Sequence, residues 1–489
     1  MDAARFLAFD LGAESGRAVL GDLADGRLAV RELARFPNGI LDVRGRLCWN
    51  VFRLFEEIKA ALRSCAAQGA APASLGVDTW GVDFALLAAD GTVLGLPVAY
   101  RDRRTEGAME SLFRKVPRER VYARTGIQLL PINTLFQLEA MARDRSPLRE
   151  AAADLLFVPD LFHYLLTGVK RTEFTFATTS QLFDPARMDW DDELLAAVGV
   201  PRSWMQEVVP PGTVLGEVDE SIRRETGYAG GPLVAVATHD TGSAVAAVPA
   251  EGEDWAFVSS GTWSLAGVES PRPVLTPEAM RANVTNEGGV GGTFRVLKNV
   301  AGLWLLQECR RAWSRGRAAG YDELIAAAED APPFAALVDP DDASFLAPPD
   351  MPEAIRAFCR RTGQTPPETP GATVRCVLES LALKTGLVLE QVARIAGRRI
   401  ARVHVVGGGA RNAPLCRFTA EAAGLPVLAG PAEATAVGNL LVQAMALGKV
   451  ASLAELRRVV RASFPVERYE PRDPAAWETA RARFGEIVG

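Results

Sequence analysis

The sequence predicts an α/β protein made of two similar halves, and three observations carry that prediction. Apolar runs of strand length alternate with segments of helical periodicity. FLAFDLGAESGRAVLGD, at the head of the chain, reads as strand, Gly-containing turn, strand, and WAFVSSGTWSLAGVE repeats that layout after residue 250. Late in the chain a third apolar strand, VHVV, runs straight into three glycines.

The elements follow in order. FLAFDL, RAVLGDL and LAVRELARF are three consecutive strands joined by short Gly- or Asp-containing turns. WNVFRLFEEIKAALRSCAAQG spaces Val51, Leu54, Phe55, Ile58 and Leu62 as a helix does. SLGVDTWGVDFALLAADG returns to strands, with Asp90-Gly91 as a turn, and NTLFQLEAMARDR and LLFVPDLFHYLLTG are mostly helical. LVAVATHDTGSAVAAV is an apolar strand interrupted by a polar cluster. ATVRCVLESLALKTGLVLEQVARIAG is a long amphipathic helix ending at Gly397, and LPVLAGPAEATAVGNLLVQAMALG is strand, loop and helix. The boundary between the halves falls near residues 246–254, giving domains over 1–248 and 249–489.

Composition narrows the function classes. The 489 residues are 48% hydrophobic and 23% charged, with a net charge of −6 and no Lys/Arg block, so a nucleic-acid partner is not expected. No apolar run is long enough to span a bilayer, and the N-terminus passes from Asp2 directly into a strand rather than a signal peptide. Six cysteines without a C-x-x-C pair read as reduced thiols of a cytoplasmic protein. Three histidines, His163, His239 and His404, lack zinc-ligand spacing.

The chemistry-bearing residues cluster at the turns. GAESGR is followed by a strand and carries no Lys, so it is neither a Walker loop nor a dinucleotide fingerprint. A plain hairpin explains Gly12 and Gly16, but not Asp10 inside an apolar strand, because a buried carboxylate is costly unless paired. A cation would remove that cost. The turn then offers backbone N–H groups, the Ser15 hydroxyl and Arg17 to a phosphate chain, the solution used by actin and hexokinase. SSGTW supplies a second small-residue turn with the Thr262 hydroxyl. THDT places Asp240 after an apolar strand, as a helix cap or as a general base accepting a hydroxyl proton. VVGGGARN brings backbone close to a flat ligand, with Asn412 available to an adenine edge. DTWGVDF and AYRDRRT mix Trp80 with polar forks, as sugar sites do and as ordinary surfaces also do.

In this order the segments resemble the FGGY carbohydrate kinases over essentially the whole chain. FDLGAESGR and SSGTW are similar to the family's two phosphate motifs, THDT to its catalytic-base segment and VVGGGARN to its adenosine motif. VDTWGVDF, GLPVAYRDRRT, GIQLLPINTLFQL, ATTSQLFD, NEGG and LKNVAGLWLLQ are similar to the branch that acts on L-rhamnulose. The resemblance implies two ribonuclease-H-like domains of the actin/hexokinase type flanking a central cleft. It implies Asp240 as base toward the ketose C1 hydroxyl, and a product L-rhamnulose 1-phosphate. Ala13, Glu14, Ser15, Gly16, Arg17 and Thr262 would line the ATP phosphates, with Gln307, Gly408, Gly409 and Asn412 on the nucleotide side. Gly81, His239, Thr241 and Asn299 would line the sugar, and Asp10 would face the Mg2+ of MgATP, through water. Glu14 departs from the pattern, standing where a small hydroxyl residue is expected, so only its backbone N–H is expected to serve. Relatives with cysteines matching Cys359 and Cys376 imply a possible disulfide there, with thiols expected in a reducing cytosol. The rival expectations are a related kinase of L-fuculose type, an actin- or Hsp70-type nucleotide switch, and a sugar sensor without catalysis.

Overall fold

The computed structural model describes residues 3–313, 320–346 and 348–488. They form two compact units. The first comprises residues 1–249, 269–296 and 434–463, and the second the intervening residues and the C-terminus. The chain therefore leaves its first unit and returns to it twice.

The first unit is built on a six-stranded sheet. Its strands are Ala4–Leu11, Ser15–Ala24, Arg27–Pro37, Ser74–Thr79, Thr213–Gly216 and Leu233–Ala235. Across the sheet the order is fifth, sixth, fourth, first, second, third. The first strand pairs antiparallel with the second and parallel with the fourth, which pairs parallel with the sixth. Phe6 to Leu11 are all buried, as expected of a central strand covered on both faces. The helix Val51–Ala67 buries Val51, Leu54, Ile58, Ala61, Leu62 and Cys65 along one stripe, and the Asn50 side chain accepts from Arg53 N at its start.

The second unit repeats this topology. Trp255–Ser260 pairs antiparallel with Trp263–Ser270 and parallel with Arg402–Val406, which pairs parallel with Val427–Ala429. The helix Pro370–Ala396 begins at a Thr369 cap and ends at Gly397, whose φ of 61° is the left-handed conformation that stops a helix. The resemblance between the two hairpins at sequence level thus reflects one sheet topology used twice.

All six cysteines are buried free thiols, Cys359 and Cys376 among them. Among the described residues no helix is long and apolar enough to cross a membrane.

Candidate active site

Three carboxylates lie at the C-terminal ends of adjacent parallel strands in the first unit, where open α/β sheets bind their ligands. Asp10 ends the first strand and is in register with Asp78 on its neighbour. The third strand of this parallel set leads into His239 and Asp240, and Thr79 bridges to His239. The three acids are close enough for their charges to act on one another.

Asp10 is not left unpaired. Arg17 faces it across the hairpin and donates to its Oδ2 from Nε (2.9 Å) and Nη2 (2.6 Å). The charge that makes Asp10 tolerable in an apolar strand is thus supplied by the protein itself. The turn residues behave differently. Gly12 N donates to Ser15 O, and Asn38 donates from N to Glu14 O and from Nδ2 to Gly12 O. These bonds fix the turn by its carbonyls, while the N–H groups of Ala13 and Glu14 have no partner among the described residues. The Glu14 side chain is exposed. Gly16 is required by packing, since a Cβ there would lie 2.2 Å from the Phe36 ring.

Asp78 is fully buried. Its Oδ2 accepts from Asn439 Nδ2 (2.6 Å), but its Oδ1 has no hydrogen-bond partner among the described residues. Burial, and then the neighbouring Asp10 charge, pushes its carboxyl well above the usual carboxylate range. Asn439 comes from the helix Ala434–Ala446, which packs on the helix Asp240–Ala246 so closely that a Cβ at Gly438 would strike Ser243 O.

Asp240 opens the helix Asp240–Ala246 with its side chain 32% exposed. All its contacts fall on Oδ1: Thr241 N at 2.5 Å, the Thr241 hydroxyl at 3.1 Å and His239 Nε2 at 3.5 Å. The other oxygen takes none from the described residues. The helix-cap alternative is not realised, because the helix's capping position is His239 and its side chain does not cap. Burial and the Asp10 charge raise the Asp240 carboxyl, against the opposing pull of His239. Thr241, expected at the sugar, donates its hydroxyl to Asp240.

The THDT segment is held by a residue the sequence did not single out. Glu173, fully buried, accepts from Thr175 N (2.8 Å), the Thr175 hydroxyl (2.5 Å), Thr238 N (3.0 Å) and the Thr238 hydroxyl (2.8 Å). The Thr175 oxygen in turn accepts from His239 N at 3.2 Å. Four donors on one carboxylate fix the backbone entering His239 and Asp240.

Gly81 lies against His239, where a Cβ would come within 3.2 Å of Nε2. Val82 follows with φ of 68°, an outlier for a β-branched residue. It is held by the Thr134 hydroxyl and Gln137 Nε2, both donating to its carbonyl. Next comes Asp83, which accepts from Trp49 Nε1, Trp80 Nε1, Tyr100 N and Gln137 Nε2, while burial pushes its carboxyl up to about 6. Strain of this kind persists where the surroundings over-determine it, and it concentrates at binding sites.

The second unit carries Thr262, Asn299, Gln307, Gly408, Gly409 and Asn412. The carbonyls of Gly261 and Thr262 accept from Leu303 N and from Gly302 N and Trp304 N, which fixes that turn. The Gln307 side-chain oxygen is buried without a hydrogen-bond partner among the described residues. The three glycines have distinct causes. Gly407 has φ of 82°, a Cβ on Gly409 would lie 2.0 Å from Ser260 Oγ, and a Cβ on Gly408 would meet nothing within 4 Å. Neither sterics nor backbone conformation requires glycine at 408. Asn412, expected beside the adenine, engages both ends of its side chain: Oδ1 caps the next helix by accepting from Leu415 N (2.9 Å), and Nδ2 donates to the Tyr321 hydroxyl (2.9 Å).

The N-terminal domain pattern of the FGGY family of carbohydrate kinases matches residues 5–247, and the C-terminal pattern matches residues 256–447. The chain belongs to the FGGY family of carbohydrate kinases. It is similar to a protein named rhamnulokinase from Bacteroides thetaiotaomicron, 47% identical over 99% of both chains. It is also similar to one of that name from Pectobacterium carotovorum, 44% identical over 96% of this chain and 94% of that one. The fold matches crystal structures of a gluconate kinase from Lactobacillus acidophilus (TM-score 0.82, 14% identity, 99% and 98% of the two chains) and of a xylulose kinase from Rhodospirillum rubrum (TM-score 0.79, 20% identity, 99% and 98%). As an FGGY carbohydrate kinase the chain has the two-domain α/β fold of that family, and it uses ATP with a divalent metal. Among the described residues no three His, Cys, Asp or Glu side chains form a metal cage. The acids do suit a cation brought in with its phosphates: Asp78 Oδ1 is a buried orphan among the described residues, and the Arg17 hydrogen bonds to Asp10 fall on Oδ2.

Proposed function

We propose that the chain phosphorylates L-rhamnulose at its C1 hydroxyl, with ATP, to L-rhamnulose 1-phosphate, in the cytoplasmic breakdown of L-rhamnose. The observation that carries the chemistry is Asp240, a carboxylate anchored through one oxygen with the other uncommitted. Full-length similarity to proteins named rhamnulokinase supports the choice of ketose.

Asp240 accepts the C1 hydroxyl proton as the alcohol attacks the γ-phosphorus in line, and the raised carboxyl suits a base working near neutral pH. His239, with Gly81, orients the sugar. The free N–H groups of the first hairpin, Ser15 and Arg17 hold phosphate oxygens. Gly408 and Gly409 pass the adenine, with Asn412 holding their turn and Gln307 beside them. Mg2+, when bound, neutralises phosphate charge, and Asp10 and Asp78 would hold it, directly or through water. The hydroxyl is positioned by residues of rigid elements, so most of the acceleration comes from orientation and charge stabilisation.

The test is a coupled ADP-release assay over L-rhamnulose, L-fuculose, L-xylulose and no sugar. The expected result is the highest kcat/KM with L-rhamnulose and little hydrolysis without sugar. Preference for L-fuculose, or sugar-independent hydrolysis, overturns the proposal. Gly408→Ala checks the nucleotide side: stability stays within about 0.5 kcal/mol, because the added methyl meets open space. The KM for ATP rises while that for the ketose holds, and an unchanged ATP KM removes Gly408 from the site.

A further inference from the structure

His239 is clamped from behind by a buried ion pair to which the proposed chemistry assigns no role. Arg295, on the strand Phe294–Ala301, has a side chain with 0% exposure. Its Nε donates to Gly288 O (2.8 Å), its Nη1 lies 3.2 Å from Glu287 Oε2, and its Nη2 lies 3.2 Å from His239 Nδ1. Glu287 Oε2 is also 3.3 Å from His239 Nδ1. On the opposite edge of the ring, Nε2 is 3.5 Å from Asp240 Oδ1.

These contacts make demands on where the imidazole proton sits. A guanidinium has donors and no acceptor, so Arg295 is satisfied only by a bare Nδ1. The Asp240 carboxylate is acceptor-only, so a protonated Nε2 suits it and a lone pair there does not. Glu287 alone favours a proton on Nδ1, and it already carries the charge of Arg295. Stability does not explain the arrangement, since a fully buried ion pair is weakly stabilising at best, and Arg295 Nη1 and Glu287 Oε2 lack well-formed hydrogen bonds.

We infer that Arg295, with Glu287 as its counter-charge, is a positioning residue that fixes His239 as a hydrogen-bond donor at Nε2, directed at the ketose hydroxyl beside Asp240. The inference rests on the proposed ketose site. The ring presents Nε2–H to an oxygen of the sugar while Asp240 accepts the proton of the reacting alcohol. Gly81 keeps the space in front of Nε2 clear, because a methyl there would crowd it at 3.2 Å. Which nitrogen bears the proton is set by what binds the other one, here Arg295.

The test pairs nitrogen NMR of the imidazole, assigned against His239→Gln, with steady-state kinetics. In the wild-type protein with its ring neutral, Nε2 is expected to carry the proton and Nδ1 to read as an acceptor. In Glu287→Gln/Arg295→Met, which removes both charges together, the tautomer shifts toward Nδ1–H, and kcat/KM for the ketose falls by about tenfold or more while the ATP KM stays within about twofold. Arg295→Lys, which keeps a cationic donor but loses the guanidinium fork, shows a smaller loss in the same direction, at least about threefold in ketose kcat/KM with the ATP KM held, and it carries the kinetic arm if the double variant does not fold. A wild-type Nδ1–H tautomer overturns the inference, as does unchanged ketose kinetics in both variants or an equal loss toward ketose and ATP. Absence of ketose kinase activity in the wild type counts against the proposed function, and the tautomer readout then still decides the role of Arg295.

Discussion

Replacing Asp240 by Asn lowers turnover by about 10²–10⁴-fold, the usual contribution of a positioned general base. The change keeps the shape of the side chain. Its oxygen at the Oδ1 position can still accept from Thr241 N and the Thr241 hydroxyl, so the start of the helix Asp240–Ala246 is retained. What is lost is the capacity of the second oxygen to take a proton. Ketose KM therefore changes little, and the thermal midpoint does not fall. The wild-type pH profile carries the same signature. Burial and Asp10 raise the Asp240 carboxyl, so kcat/KM declines as pH falls through a value above the ordinary carboxylate range, and the base is lost by protonation. Turnover of the Asn variant near the wild-type level removes Asp240 from the role.

Asp78→Asn is expected to stabilise the protein while impairing it. Burial and the Asp10 charge hold the Asp78 carboxyl well above its unfolded value. The folded state therefore binds a proton more tightly than the unfolded chain. Stability falls as pH rises from the unfolded pKa through the raised folded one, at about 1.4 kcal/mol per pH unit. An amide at this position escapes that slope, and its oxygen still accepts from Asn439 Nδ2. At pH 7–8 the variant is the more stable of the two, and the difference shrinks toward pH 4. Activity moves the other way, because the amide cannot balance the charge of MgATP, and MgATP raises the melting temperature of the variant less than that of the wild type. Denaturant titrations at several pH values, beside initial rates, check both halves. A less stable variant, or one with full activity, contradicts this role for Asp78.

The elements that the sequence made legible are those whose signal is local. The strand at Phe6–Leu11, its hairpin partner and the helix over Val51–Ala67 are each specified by side-chain period and by a turn or cap within a few residues. The matching hairpins pointed to one topology used twice for the same reason. The helix Ala434–Ala446 shows the limit of that signal. ATAVGNLLVQAMA is apolar on nearly every side, so its sequence announces burial without naming a neighbour. It belongs to the first unit, where Gly438 admits Ser243 and Asn439 reaches Asp78.

The site divides in the same way. Asp10 and Asp240 stood out because each is an acid ending an apolar run beside small residues. Glu173 and Arg295 had no such setting. Glu173 is meaningful only through Thr238, which lies 65 residues further along the chain. Arg295 is meaningful only through Glu287 and His239. Glu287 sits in the NEGG segment, where the resemblance pointed without saying what the acid does. THDT offers cap residues that its helix does not use, whereas Asn412 caps the helix Ala413–Ala423, an Asn before Ala-Pro-Leu being a strong N-cap signal.

The most direct measurement is phosphorus NMR, with proton coupling, of the product formed from L-rhamnulose and MgATP. The expected spectrum has one new phosphate-ester resonance split by the two geminal protons of C1, and it grows at least about a hundredfold more slowly when Asp240→Asn replaces the wild-type protein. A resonance coupled to a single proton would place the phosphate elsewhere on the sugar. Inorganic phosphate as the sole new signal would make the chain a nucleotide hydrolase, and either outcome contradicts a carboxylate base acting on the C1 hydroxyl.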